Sequence, residues 1–157
     1  MTSMKRRIFL KGSLASGAIG MAVGTGLLTP RIALAAWSKE AFEATDVDGA
    51  LNGLFGSSDL TGSDNIKIKA PDIAENGAVV PVSVTTDISG ASSISIIAEK
   101  NAQPLAASFD LGPGTEGYVS TRIKMGKTAS VIAVVKADGK LYSTGKEVKV
   151  TIGGCGG

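Results

Sequence analysis

SVIAVVKADGKLYSTGKEVKVTI, residues 130–152, contains two β-strands and the turn between them. Ser130 to Val135 is apolar on both faces, as a strand covered on both sides must be, and belongs in the middle of a sheet. Asp138-Gly139 reads as a two-residue hairpin turn, because glycine tolerates the positive φ that the favoured turns require. After it, Val148, Val150 and Ile152 alternate with Glu147, Lys149 and Thr151, the period of a half-buried strand.

The same period recurs upstream. Ile66 and Ile68 alternate with Lys67 and Lys69; Val80, Val82 and Val84 share one face, and Ile94, Ile96 and Ala98 another. Pro81 cannot donate to a ladder, which puts its strand at an edge or a bulge. Further strands are expected near Ala107 and Tyr118. About seven antiparallel strands at short spacing, with no helix between them, define a mainly β fold, an immunoglobulin-like β-sandwich. The chain has one cysteine, so no inter-sheet disulfide is available and apolar packing must join the sheets.

A single helix is expected ahead of the strands. Ser38 would cap it, Ala41, Ala44, Val47, Leu51 and Leu54 recur every three or four residues, and Trp37 with Phe42 suits a hydrophobic staple. This stripe needs a surface, on its own domain or on a partner subunit, and the former is expected. Gly56 to Ser63 reads as a loop. Asp46 and Asp48 lack the rest of a calcium loop and read as helix-surface acids.

The first 35 residues have a different character. Lys5, Arg6, Arg7, Lys11 and Arg31 stand among no acids, followed by the apolar run Gly12 to Leu28 and by Ala33-Leu34-Ala35. This order is that of a secretory signal peptide cleaved between Ala35 and Ala36. At 17 residues with five glycines, the run is short and weakly apolar for a membrane span of about 20 residues. RRIFLK, from Arg6 to Lys11, resembles the twin-arginine export signal, with Lys5 where a serine or threonine is commoner. The expected domains are a leader over 1–35, a folded domain over 36–152 and a tail over 153–157.

Cleavage reverses the charge balance. Of 16 basic residues, 11 follow Ala35, against 14 acids, so about 122 residues carry a net charge near −3 and nothing points to nucleic acid. With no histidine and one thiol, zinc, haem and iron–sulfur sites lack a ligand set. No metal, no resident cofactor and no stable membrane insertion after cleavage are expected.

That thiol is Cys155, in GGCGG after the last strand. Glycine has the most backbone freedom to lose on ordering, so Gly153, Gly154, Gly156 and Gly157 are expected to form a mobile arm. The three positions from Ile152 to Cys155 give a reach of roughly 10 Å. A core cysteine is usually a small hydrophobe, but a tail has nothing to pack against. A catalytic cysteine needs a neighbouring base and a rigid setting, and the chain offers no histidine for that role; no catalytic residue is expected. The expectation is a thiol presented to other proteins, on bare backbone that can thread into a narrow cleft.

VKVTIGGCGG at residues 148–157, IKAPDIAENGAVVPVSVTT at 68–86 and TRIKM at 121–125 together resemble the SoxY family of bacterial thiosulfate oxidation. The resemblance spans essentially the whole chain after the leader. It implies a periplasmic, immunoglobulin-like sulfur carrier paired with SoxZ in a SoxYZ heterodimer and exported by the twin-arginine route. Cys155 would be the covalent attachment site, loaded oxidatively with thiosulfate by the haem protein SoxAX. SoxB would then remove sulfate hydrolytically and a sulfane dehydrogenase would oxidise the remaining sulfur, so that thiosulfonate and persulfide forms occupy Cys155 in turn. The chain itself would be no enzyme. Two rivals stand beside this reading. Ubiquitin-like sulfur carriers also end in Gly-Gly, but they are cytoplasmic, and the leader argues against them. The other is a periplasmic structural or adhesive sandwich crosslinked through Cys155.

Overall fold

The computed structural model describes residues 38–151. The leader with Arg6, Arg7, Ala35 and Ala36, the staple residue Trp37, and Ile152 with the GGCGG tail lie outside the described residues. In chain order the elements are α1 (Lys39–Glu43), α2 (Val47–Phe55), β1 (Thr61–Gly62), β2 (Ile66–Lys69), β3 (Ile73–Ala74), β4 (Val80–Thr86), β5 (Ala91–Ala98), β6 (Leu105–Asp110), β7 (Tyr118–Ile123), β8 (Ala129–Ala137) and β9 (Lys140–Val150).

The two-sided apolar strand is β8, and it lies inside the larger sheet, whose order is β1-β9-β8-β5-β6 with β3 also on β9. The smaller sheet is β2-β4-β7. In immunoglobulin lettering these are strands G-F-C-C′ facing A-B-E, so the chain forms the expected sandwich. Its seven strands of four or more residues pair antiparallel. The additions are β1 and β3, two residues each and parallel to β9. Two residues are too few to show a period, and β1 falls inside the stretch read as a loop.

Inward alternation builds the core. Val131, Ala133 and Val135 of β8 and Ile94, Ile96 and Ala98 of β5 meet Val80, Val82 and Val84 of β4, all buried. Fully burying such a side chain stabilises by about 1.5–3 kcal/mol. At the hairpin, Ala137 pairs with Lys140, and Asp138 and Gly139 have φ of 49° and 75°, the positive pair of a type I′ turn.

The opposite face of the large sheet has its own core. Ile97, Leu105, Val134 and Leu141 pack against Ala41, Ala50 and Leu51 of the helices. The helical stripe therefore packs on its own domain. It comes from two helices, not one, because Asp46 ends the continuity: its carboxylate accepts from the Gly49 amide at 2.7 Å and caps α2. Asp46 is thus a cap and not a plain surface acid. Ser38 precedes α1 without a side-chain cap; its hydroxyl instead donates to the Gly53 carbonyl at 2.8 Å, tying the helices together. Gly53 permits their close approach, since a Cβ there would lie 2.8 Å from the Ala41 backbone.

Pro81 corrects a simple inference. Its strand β4 is the middle strand of the small sheet. The ladder from β2 reaches only Ser83, so at Pro81, opposite Arg122, the middle strand has β7 alone beside it. There the proline is tolerated as it would be at an edge.

Candidate functional site

The sequence places the only thiol four residues after Thr151, so the last described residues form the root from which it departs. That root is held from two sides. On one side β3 runs parallel, with Ile73 opposite Lys149 and Ala74 opposite Val150; the Lys149 amide donates to the Asp72 carbonyl at 3.0 Å and the Thr151 amide to the Ala74 carbonyl at 3.2 Å. On the other side the Val150 amide donates to the Thr128 hydroxyl at 2.9 Å. Lys146 adds a strap, donating to the Ala70 carbonyl at 2.6 Å and pairing with Asp72 at 3.0 Å.

The segments that grip the root are themselves fixed. The Met125 amide donates to the Gly77 carbonyl at 2.7 Å. A Cβ on Gly77 would collide with the Met125 carbonyl and lie 2.8 Å from Val150 Cγ1, so glycine is needed for this approach of three segments. Asn101 clasps the turn after β7, donating to the Lys124 carbonyl at 2.7 Å and accepting from the Gly126 amide at 3.0 Å. Ile73 and Val79, near the root, are about half exposed, at 57% and 51%.

A second surface feature is polar. The register of the small sheet sets Lys67, Thr85 and Tyr118 in one row and Lys69, Ser83 and Ser120 in the next. The Ser83 and Ser120 hydroxyls are 2.9 Å apart. Contacts with the hydroxyls of Ser120 and then Ser83, together with the nearby Lys69 charge, hold the exposed Tyr118 hydroxyl below its ordinary range.

Among the described residues no group of His, Cys, Asp or Glu could hold a metal ion, and no helix is long and apolar enough to cross a membrane. The residues singled out in the sequence as the site, Cys155 with Gly153, Gly154, Gly156 and Gly157, lie outside the described part, as do Arg6, Arg7, Ala35 and Ala36. Thr128 and Ala74 were not legible as root contacts, since both act through register. Gly77, in ENGAVV, carried only the signal of a turn.

Fold and site together define an immunoglobulin-like β-sandwich that holds the last strand before a glycine-flanked thiol between β3 and the turn that precedes β8. Its relatives are more specific. The family model described as sulfur oxidation protein SoxY matches residues 51–155, ending on the cysteine, and the chain belongs to the SoxY family. It is similar to the solved structure of the sulfur carrier protein SoxY from Chlorobium limicola f thiosulfatophilum, at 51% identity and a TM-score of 0.61, over 67% of this chain and 96% of that one. No match was found among curated proteins.

Proposed function

We propose that this chain is a sulfur carrier of thiosulfate oxidation that holds its cargo covalently on Cys155. The observation that carries the reading is membership of the SoxY family through a match that ends on Cys155, the only thiol in the chain. The similar solved protein is itself described as a sulfur carrier.

The chemistry assigned to Cys155 needs partners at each step. In loading, the thiolate and the sulfane sulfur of thiosulfate form an S–S bond and give up two electrons to a haem-protein oxidant, the SoxAX role. In hydrolysis, water attacks the sulfonate sulfur; the S–S bond to it breaks, sulfate and two protons leave and a persulfide anion remains on Cys155, the SoxB role. A sulfane dehydrogenase then oxidises that persulfide. The chain supplies attachment and presentation and is not a catalyst of these steps. A thiol flanked by glycines suits delivery into clefts, since bare backbone needs little width. SoxZ is the proposed stable partner, and the periplasm, reached by the twin-arginine route, the proposed compartment.

Mass spectrometry of protein isolated from sulfur-grown cells tests the reading. Thiosulfonate or sulfane additions on Cys155 are expected, and Cys155→Ser should fold and bind its partner while abolishing loading in a reconstituted system. A stable mixed disulfide in place of those additions would assign the crosslinking role instead. Thiosulfate-dependent turnover by the serine variant near that of the wild type would refute carriage.

A further inference from the structure

The outer face of the small sheet concentrates charge of one sign. Lys67 and Lys69 of β2 and Arg122 of β7 are exposed, and the three strands of this sheet contain no Asp or Glu. Among the described residues none of these cations forms an ion pair; the two pairs present involve Lys39 with Glu43 and Lys146 with Asp72. This happens in a domain with 11 basic residues against 14 acids after residue 37. The compensating charge lies elsewhere, since residues 39–64, mostly helix and loop, hold one lysine and six acids.

The face also carries the features of a contact surface. Tyr118, 52% exposed, stands in the row with Thr85 and Lys67, beside the paired Ser83 and Ser120 hydroxyls. Tyrosine and arginine are the residues most often found as anchors where proteins meet, and hydroxyls beside lysines supply donors to carboxylates. With no large apolar patch on it, the face suits brief, steered encounters more than a permanent interface, which would be more hydrophobic. Three cations without an inserting apolar wedge are too few to hold a protein on an anionic membrane.

Its position connects it to the root of the tail. Lys69 ends β2, and four residues later Ile73 begins the strand that grips β9. Arg122 nearly ends β7, and the turn that follows holds Gly77 through Met125 and Val150 through Thr128. Both flanks of the cationic face thus lead into the grip on the root. From Thr151 to Cys155 the chain can span at most about 14 Å.

We propose that the outer face of the β2-β4-β7 sheet, through Lys67, Lys69, Arg122 and Tyr118, is a docking surface for an acidic patch beside the active-site mouth of at least one enzyme that acts on the carrier. The inference rests on the carrier reading and adds the surface and the charge of its partner.

The test uses the full mature carrier with its stable partner and the purified host enzymes that load, hydrolyse and oxidise the cargo, one at a time. The triple variant Lys67→Glu, Lys69→Glu, Arg122→Glu is compared with wild type and with Lys39→Glu, Lys100→Glu, Lys140→Glu, which changes net charge equally at other exposed positions. At low salt the sheet-face variant should raise KM for the carrier about tenfold or more with at least one enzyme while leaving kcat unchanged; added salt should raise the wild-type KM and remove the difference. Should the reversed charges impair folding, by circular dichroism, Lys69→Gln with Arg122→Gln should still raise KM severalfold. KM values within about twofold of wild type for every enzyme, or an equal effect from the control triple, overturn the docking surface and leave carriage standing. Absence of any sulfur adduct on wild-type Cys155 overturns carriage, and the docking role with it.

Discussion

The Thr151 amide donates to the Ala74 carbonyl at 3.2 Å, so the chain is still tied to the sandwich one residue past the end of β9. The distance that Cys155 can reach is therefore counted from Thr151. Length alone then limits the thiol to a short radius about a fixed point, and the body must come close to any enzyme that receives it.

Thr128 should govern how firmly that point is fixed. Its hydroxyl accepts from the Val150 amide at 2.9 Å, an exposed bond worth about 0.5–1 kcal/mol. Thr128→Ala should speed hydrogen exchange at Val150 roughly two- to fivefold, while Thr128→Ser should restore protection. Equal exchange in all three proteins would remove Thr128 from the grip.

Gly77 should tolerate no side chain. Gly77→Val would drive a Cβ into the Met125 carbonyl and Val150, and overpacking of this kind costs about 1–3 kcal/mol. Gly62→Ala is the control, because a Cβ at Gly62 meets nothing within 4 Å; its cost should be near that of a surface change, about 0.5 kcal/mol. Denaturant midpoints measure both. Similar midpoints for the two variants would mean that the three-segment contact yields freely.

Tyr118 should ionise below the ordinary tyrosine value, held there by Ser120, Ser83 and the Lys69 charge. The ionised form is favoured in the folded state, so the linked stability is present above the unfolded pKa of about 10 and is lost as pH falls through the folded value. Tyr118→Phe should remove this alkaline gain in stability. Ultraviolet titration of wild type against Tyr118→Phe locates the midpoint, which Ser120→Ala should raise. A midpoint at or above the ordinary value would refute the hydroxyl contacts.

The tail glycines should matter for transfer and hardly for folding. Gly154→Val with Gly156→Val adds stiff, wide side chains beside Cys155. Labelling of Cys155 by a small thiol reagent should change by less than about threefold, while turnover of the loaded carrier by its enzymes should fall about tenfold or more, about 1.4 kcal/mol at the barrier. If turnover stays at the wild-type rate, any flexible tether would serve.

Where side chains alternate with depth, the sequence disclosed the fold. SVIAVV marked the inner strand, DG its turn, and Val80, Val82 and Val84 the facing wall. Ile97 was passed over because the stripe Ile94, Ile96, Ala98 already accounted for one face of β5; its burial against the helices depends on the second layer. The break at Asp46 was hidden by apolar spacing that runs on across it, since one carboxylate on one amide outweighs a weakly periodic stripe. At the candidate site, the GGCGG setting singles out Cys155, which lies outside the described residues, whereas Thr128 and Ala74 act through register. The rows Lys67, Thr85, Tyr118 and Lys69, Ser83, Ser120 join residues far apart in the chain, and no local pattern could assemble them.

The turn at Asp138-Gly139 lies at the opposite end of β9 from the tail. A pull on the thiol along that strand therefore draws it away from the turn, and the nine residue pairs between β8 and β9 bear the force side by side, in shear. Peeling, in which bonds fail one after another, would need a pull across the sheet. The short parallel strand β3 is loaded in the same sense as β8. A pull in line with β9 thus loads these pairs together, and the sandwich resists it better than a pull that peels β9 from β8.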